Sequence, residues 1–129
     1  MTLIVRVLFS GILFCSLTCE TAPQRVGMDE YREIWKIPRT AEIERERKFD
    51  SFSPETQIDV YIVAMCCVEP SDGEVGRYLL NNGPDVISHI TRRIQSETLE
   101  GNKKILIRLL VDANHDCNGC VTKDLEVMK

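Results

Sequence analysis

The stretch Ser53-Pro54-Glu55-Thr56-Gln57-Ile58-Asp59-Val60-Tyr61-Ile62-Val63-Ala64-Met65 decides the fold class. It opens as a helix does, with a hydroxyl at the cap, a proline where its missing N–H is harmless, and an acid in the first turn. Ile58, Tyr61, Ile62, Met65 and Val68 then recur at intervals of three and four, which is the period of one helix face. The β-branched content of Val60-Tyr61-Ile62-Val63 would also suit a buried strand, and periodicity alone does not separate the two. The cap decides for a helix.

Toward the C-terminus, Glu69-Pro70 stops this helix. Ser71-Asp72-Gly73-Glu74 has the spacing of a capping box, in which Ser71 and Glu74 satisfy two amide donors reciprocally. Val75, Tyr78, Leu79 and Asn82 share the next helix face, and Asn81-Asn82-Gly83 ends it with glycine where a left-handed residue is wanted. Pro84 opens a further helix with Val86, Ile87, Ile90 and Ile94 inside, and with His89, Arg92 and Arg93 outside. After a turn near Gly101-Asn102, the run Ile105-Leu106-Ile107-Arg108-Leu109-Leu110-Val111 is apolar nearly all round and is expected to be the most buried element. Val121, Leu125 and Met128 space a last short helix. Toward the N-terminus, Tyr31, Ile34 and Trp35 fall on one face of a short helix ending at Pro38. Thr40 is placed to cap a charged, mostly exposed stretch, Ala41 to Lys48, whose only large apolar residue before Phe49 and Phe52 is Ile43.

The order is helix, tight turn, helix, twice over, from Ser53 to Asn82 and from Pro84 to about Asn114. A hairpin of this size cannot bury both faces alone, so the expected fold is all-α, with short antiparallel hairpins stacked in a HEAT-like array. The alternative is an α/β fold with a thioredoxin-like element, in which Ile105–Val111 is a strand leading to Cys117-Asn118-Gly119-Cys120. The stretch from Phe52-Ser53-Pro54-Glu55-Thr56-Gln57-Ile58-Asp59-Val60-Tyr61 through Asn82-Gly83-Pro84-Asp85-Val86-Ile87 resembles a family of small exported bacterial proteins of unassigned function with HEAT-like helical hairpins. The motifs that carry it are a helix cap and a glycine turn before an apolar helix. The resemblance implies this fold and brings no catalytic residue.

Residues 1–22 read as a secretory signal peptide, with Arg6 ahead of the apolar run Val7 to Leu17 and small residues after it. The run is too short for a membrane span of about 20 residues, and extending it back to Leu3 would place Arg6 in hydrocarbon. The remainder divides into a leader with an exposed helix, residues 23–52, and a helical-hairpin domain, residues 53–129. Of six cysteines, Cys15 leaves with the signal. A cut after Ala22 also removes Cys19 and leaves an even set, Cys66, Cys67, Cys117 and Cys120, as suits an oxidising compartment. Lipidation of Cys19 is the alternative, opposed by Ser16 at the position where a lipoprotein signal has leucine. The expected location is therefore periplasmic or secreted.

Disulfides joining Cys66 and Cys67 to Cys117 and Cys120 would pin the second half of the domain. Adjacent helical residues point about 100° apart, so a single bridge with two leftover thiols is also open. A bridge closing a loop of this length contributes about 2–4 kcal/mol. Two other chemistries use the same residues. Cys117, Cys120, one of Cys66 or Cys67, and His115 would make a Cys₃His zinc set, and Cys117-x-x-Cys120 has the spacing of a thiol-redox motif.

The net charge of −4 argues against a nucleic-acid surface, because the basic clusters Arg45–Lys48, Arg92-Arg93 and Lys103-Lys104 are short and read as solvated helix faces. His89 reads as a surface residue. Asp112, His115 and Asp116 cluster near a helix end without a nucleophile, and no phosphate loop or paired-acid motif is present. The expected function is that of an exported, non-enzymatic protein-interaction module of the inhibitor or immunity type, with another protein as partner, no cofactor and no span after signal cleavage. The alternative is a zinc-binding or thiol-redox protein using Cys66, Cys67, Cys117 and Cys120.

Overall fold

A computed structural model describes residues 26–116 together with Gly119 and Val121. Among the described residues there are six helices and no strand: α1 (Met28–Trp35), α2 (Glu42–Asp50), α3 (Pro54–Cys66), α4 (Glu74–Leu80), α5 (Asp85–Ser96) and α6 (Glu100–Asp116). The fold is all-α. Val60–Val63 lies within α3 and Ile105–Val111 within α6, so the α/β alternative with a thioredoxin-like strand is overturned. The signal segment, Cys117, Cys120, Leu125 and Met128 lie outside the described residues.

Helix α3 starts as its sequence directs. Ser53 is extended, its Oγ accepts the Thr56 N–H at 3.3 Å, and Pro54 occupies the first helical position. α3 packs against α1, α4, α5 and α6, and Ile58, Val60, Tyr61, Ile62, Val63 and Ala64 are all buried. A helix with neighbours on most sides needs apolar residues around most of its circumference. Gln57 is the buried exception, and its amide is satisfied three ways. Nε2 donates to the carbonyls of Phe49 at 3.2 Å and Phe52 at 3.1 Å, and Oε1 accepts from Asn82 Nδ2 at 3.0 Å. One side chain thereby joins the turn before α3 to the turn after α4.

Around α3, the core is completed by Tyr31 and Ile34 of α1, Phe49 of α2, Val75, Tyr78 and Leu79 of α4, Val86, Ile87 and Ile90 of α5, and Leu106 and Leu109 of α6. Val121 is buried in the same core. The inner face foreseen for α5 is the buried one, and Gly83 adopts φ +88° in the turn that precedes it.

Several local expectations are corrected. The most buried element is α3, not Ile105–Val111. In α6, Leu106 and Leu109 face inward, whereas Ile107 is 47% and Val111 60% exposed, because α6 meets its neighbours α3 and α5 with one face. The Ser71–Glu74 capping box does not form. Asp72 Oδ1 accepts the Glu74 N–H at 3.2 Å, Ser71 Oγ turns back to the Met65 carbonyl, and the Glu74 carboxylate is held by Arg45. Thr40 does not cap α2, which begins at Glu42 with no side-chain cap bond. Arg93 does not point outward but bonds to α3, and His89 is half-buried. α2 is not merely a solvated face, since Arg45 and Phe49 are buried while Ile43 is the exposed residue.

Close packing of α1 on α3 depends on Gly27. It adopts φ +87°, and a Cβ there would stand 2.7 Å from the Asp59 carbonyl carbon, a backbone atom that cannot swing aside. Gly83 shares the positive φ but has open space where a Cβ would go. Gly83→Ala is expected to lose about 1 kcal/mol from backbone strain alone. Gly27→Ala is expected to lose about 2–4 kcal/mol, because a core contact must also open. Urea denaturation of the two variants measures the difference, and equal losses would refute the close approach.

Candidate functional site

Among the described residues, groups of polar and charged side chains stand out in three places. The first is a groove of about 480 Å³ between α3, α4 and α6. Tyr61 and Met65 of α3, Gly76 and Leu80 of α4, and Leu109 and Ala113 of α6 make its apolar surface. Gly76 keeps it open: a Cβ there would lie 3.0 Å from Tyr61 Cε2 and 3.6 Å from Leu109 Cδ1. Burial first, and then the charge of Asp112, push the Tyr61 hydroxyl up to about 12, so it stays protonated at neutral pH.

The lip of the groove is polar and carries Arg77, Asn81, Asp112 and Asp116. Arg77 is paired with Glu42, which raises its pKa further, and Asn81 Nδ2 donates to Glu46 Oε1 at 3.1 Å. The cation is thus offset by its own neighbour. Asp112 and Asp116 stand one turn apart on α6, with Arg108 Nε reaching Asp112 only at 3.9 Å across exposed side chains. The lip is left acidic.

The second place is a buried polar cluster where α1, α2 and α4 meet. Arg45 is 2% exposed. Its Nη1 donates to Glu74 Oε2 at 3.2 Å, and its guanidinium lies 5.4 Å from the centre of the Trp35 ring. Tyr31 stacks on Trp35 and donates its hydroxyl to Asp72 Oδ2 at 3.2 Å. Burial and the adjacent Asp72 carboxylate push that hydroxyl up to about 12. Arg45 Nε and the Tyr78 hydroxyl are buried without a hydrogen-bond partner. Sequence reasoning placed Arg45 in a solvated basic run. The signal that identifies it is its position four residues before Phe49, which puts both on the inward face of α2.

The third is a cavity of about 300 Å³ bordered by Val26, Asp59, Arg93, Glu97, Leu99 and Asn102. Arg93 spends its donors here on carboxylates: Nη2 on Asp59 at 2.6 Å, Nε on Glu97 at 3.1 Å and Nη1 on Glu55 at 3.4 Å. Glu97 Oε1 in turn accepts the Thr98 and Leu99 amides at 3.1 and 3.2 Å. The arrangement fixes the α5–α6 turn against α3 and leaves Arg93 no free edge for an anion.

Of the residues singled out by sequence, Asp112 and Asp116 share the groove, while His115 is exposed on α6. His89 Nδ1 is buried without a partner. Cys66 and Cys67 are bonded to each other. The bridges and the zinc set drawn to Cys117 and Cys120 end on residues outside those described. Among the described residues no group of three or more His, Cys, Asp or Glu side chains is arranged to hold a metal ion, and no helix is long and apolar enough to cross a membrane. No protein-family model, curated protein or solved structure matches the chain.

The Glu97 site predicts a pH dependence. Burial works against its charge, but the Leu99 amide, Arg93 and Asn102 outweigh burial and hold the carboxyl below its ordinary range. A carboxyl lowered in this way adds stability above its unfolded pKa of about 4.3, and that stability is lost as pH falls through the lowered value. Glu97→Gln is expected to lose about 1–3 kcal/mol at pH 7 and to lose less than the parent on further acidification. Thermal melts at pH 7 and pH 3 test this; the same acid sensitivity in parent and variant would refute it.

Proposed function

We propose that the chain is a non-enzymatic protein-interaction module, acting after export in the manner of an inhibitor or immunity-type protein. The successive hairpins α3–α4 and α5–α6 are read as a HEAT-like array, with the partner received in the groove between α3, α4 and α6. The observation that carries this reading is the groove itself, with an apolar surface kept open by Gly76 and an acidic lip whose one arginine is already paired. Among the described residues its lining offers a protonated tyrosine hydroxyl and two solvated carboxylates, without a nucleophile held against a base. Apolar surface bordered by solvent-exposed charge is the make-up of a recognition site.

The same chemistry defines the partner: a protein segment presenting an apolar side chain next to lysine or arginine. The apolar group enters against Tyr61, Met65 and Leu109, and the cation meets Asp112 and Asp116. Packed helices α3 and α6 already position these groups, which keeps the ordering cost of binding low.

A photo-activatable residue at position 113 tests the groove, with the same residue at exposed position 43 as control. The expected result is a cross-link from 113 and not from 43, mapped to a partner peptide in which lysine or arginine neighbours the linked apolar residue. Replacing both acids, D112N/D116N, is expected to weaken that association about tenfold and to remove most of its salt dependence. Cross-linking from both positions alike, or binding indifferent to the two acids, would sink the proposal.

A further inference from the structure

Cys66 and Cys67 lie at the C-terminal end of α3 with their sulfurs bonded to each other. A disulfide stabilises mainly by closing a loop of the unfolded chain, by about 3 kcal/mol for 15 residues. Sequence neighbours close no such loop. The end of α3 is also held by other bonds: the Cys67 amide donates to the Val63 carbonyl at 3.0 Å, the Asp72 amide to the Ala64 carbonyl at 3.0 Å, and Ser71 Oγ to the Met65 carbonyl at 3.2 Å. Opening the sulfur bond leaves all three in place. The two sulfurs also differ in setting, since Cys66 is exposed and Cys67 is half-buried against the core.

We propose that Cys66–Cys67 is a redox-active pair that exchanges with small thiols of the glutathione class, Cys66 being the sulfur attacked. A disulfide that is accessible and dispensable to the fold belongs with the labile ones, not with the staples. In the first step a thiolate R–S⁻ attacks Cys66 Sγ, the R–S–Sγ66 bond forms and the Sγ66–Sγ67 bond breaks. The electron pair leaves on Cys67 Sγ, which takes up a proton. A second thiolate then attacks the R sulfur of the mixed disulfide, forming R–S–S–R, and Cys66 Sγ departs as a thiolate and is protonated. Two thiols are oxidised to one disulfide while the protein disulfide gains two electrons and two protons. The reverse reaction, with R–S–S–R as oxidant, restores the bond.

Trypsin isolates both cysteines on one peptide, residues 49–77, which contains no other cysteine. The full chain, purified without reductant, is incubated while folded in graded mixtures of reduced and oxidised glutathione. It is then quenched with acid, alkylated, digested and weighed. Peptide 49–77 is expected to pass from the internal disulfide, two hydrogens lighter than the dithiol, to the doubly alkylated form with unchanged helical circular dichroism. Cys67→Ser is expected to accumulate glutathione on Cys66, and Cys66→Ser about tenfold less on Cys67 at equal times. Three results would overturn the proposal: peptide 49–77 linked to the peptide bearing Cys117 and Cys120, a bond reduced only after the helices are lost, or a free pair that oxidised glutathione does not close.

Discussion

Enclosure of α3 is the constraint on which the rest of the structure depends. At 13 residues it is of the length at which an isolated helix is marginal in water, and the shorter α1, α2 and α4 are weaker still. Each persists because it covers part of α3 or of a neighbour that does. The polar groups that α3 carries inward are therefore matched by partners from elsewhere in the chain. Gln57 bonds to carbonyls before the helix and to Asn82 beyond α4, and Asp59 bonds to Arg93 on α5. These pairs cross the structure at fixed registers, so they specify which face of each outer helix meets the centre.

Arg45 shows how far one buried charge reorganises its surroundings. Removing a guanidinium from water costs several kcal/mol, and that cost is recovered only with good partners. Glu74 supplies the opposite charge and the Trp35 ring a cation–π face. Glu74 is committed to Arg45 and its carboxylate does not reach back to the Ser71 amide, Ser71 Oγ is spent on the Met65 carbonyl, and the Glu74 amide turns to Asp72, which is held in place by Tyr31. A local signal in the Ser71–Glu74 sequence is overridden by a contact 29 residues away.

That case marks the boundary of what was legible. The α3 cap, the inner face of α5 and the turn at Gly83 depend on residues within a few positions of one another, and each could be read directly. The burial of Ile105–Val111 could not, because an apolar segment does not reveal how many sides of it will be covered. Arg45 and Arg93 looked like solvated cations until the helices opposite them were in place. Asp112 and Asp116 cluster in the sequence, but their setting needs α3 and α4 beside α6. The only local hint of the groove was a glycine inside the short α4, at position 76. The even set of four cysteines pointed Cys66 and Cys67 toward Cys117 and Cys120, which lie outside the described residues, whereas here the two neighbouring sulfurs are bonded to each other.

Two cavities draw on different sides of α3. Asp59, Ile62 and Val63 border the one beside Arg93, and Tyr61 and Met65 border the groove; at 100° per residue these sets face well apart around the helix. Val26, the first described residue, belongs to the Arg93 side. Val26 is also exposed, so a label or surface link made at that residue starts away from the groove. Attachment at that side leaves the groove and its acidic lip unobstructed.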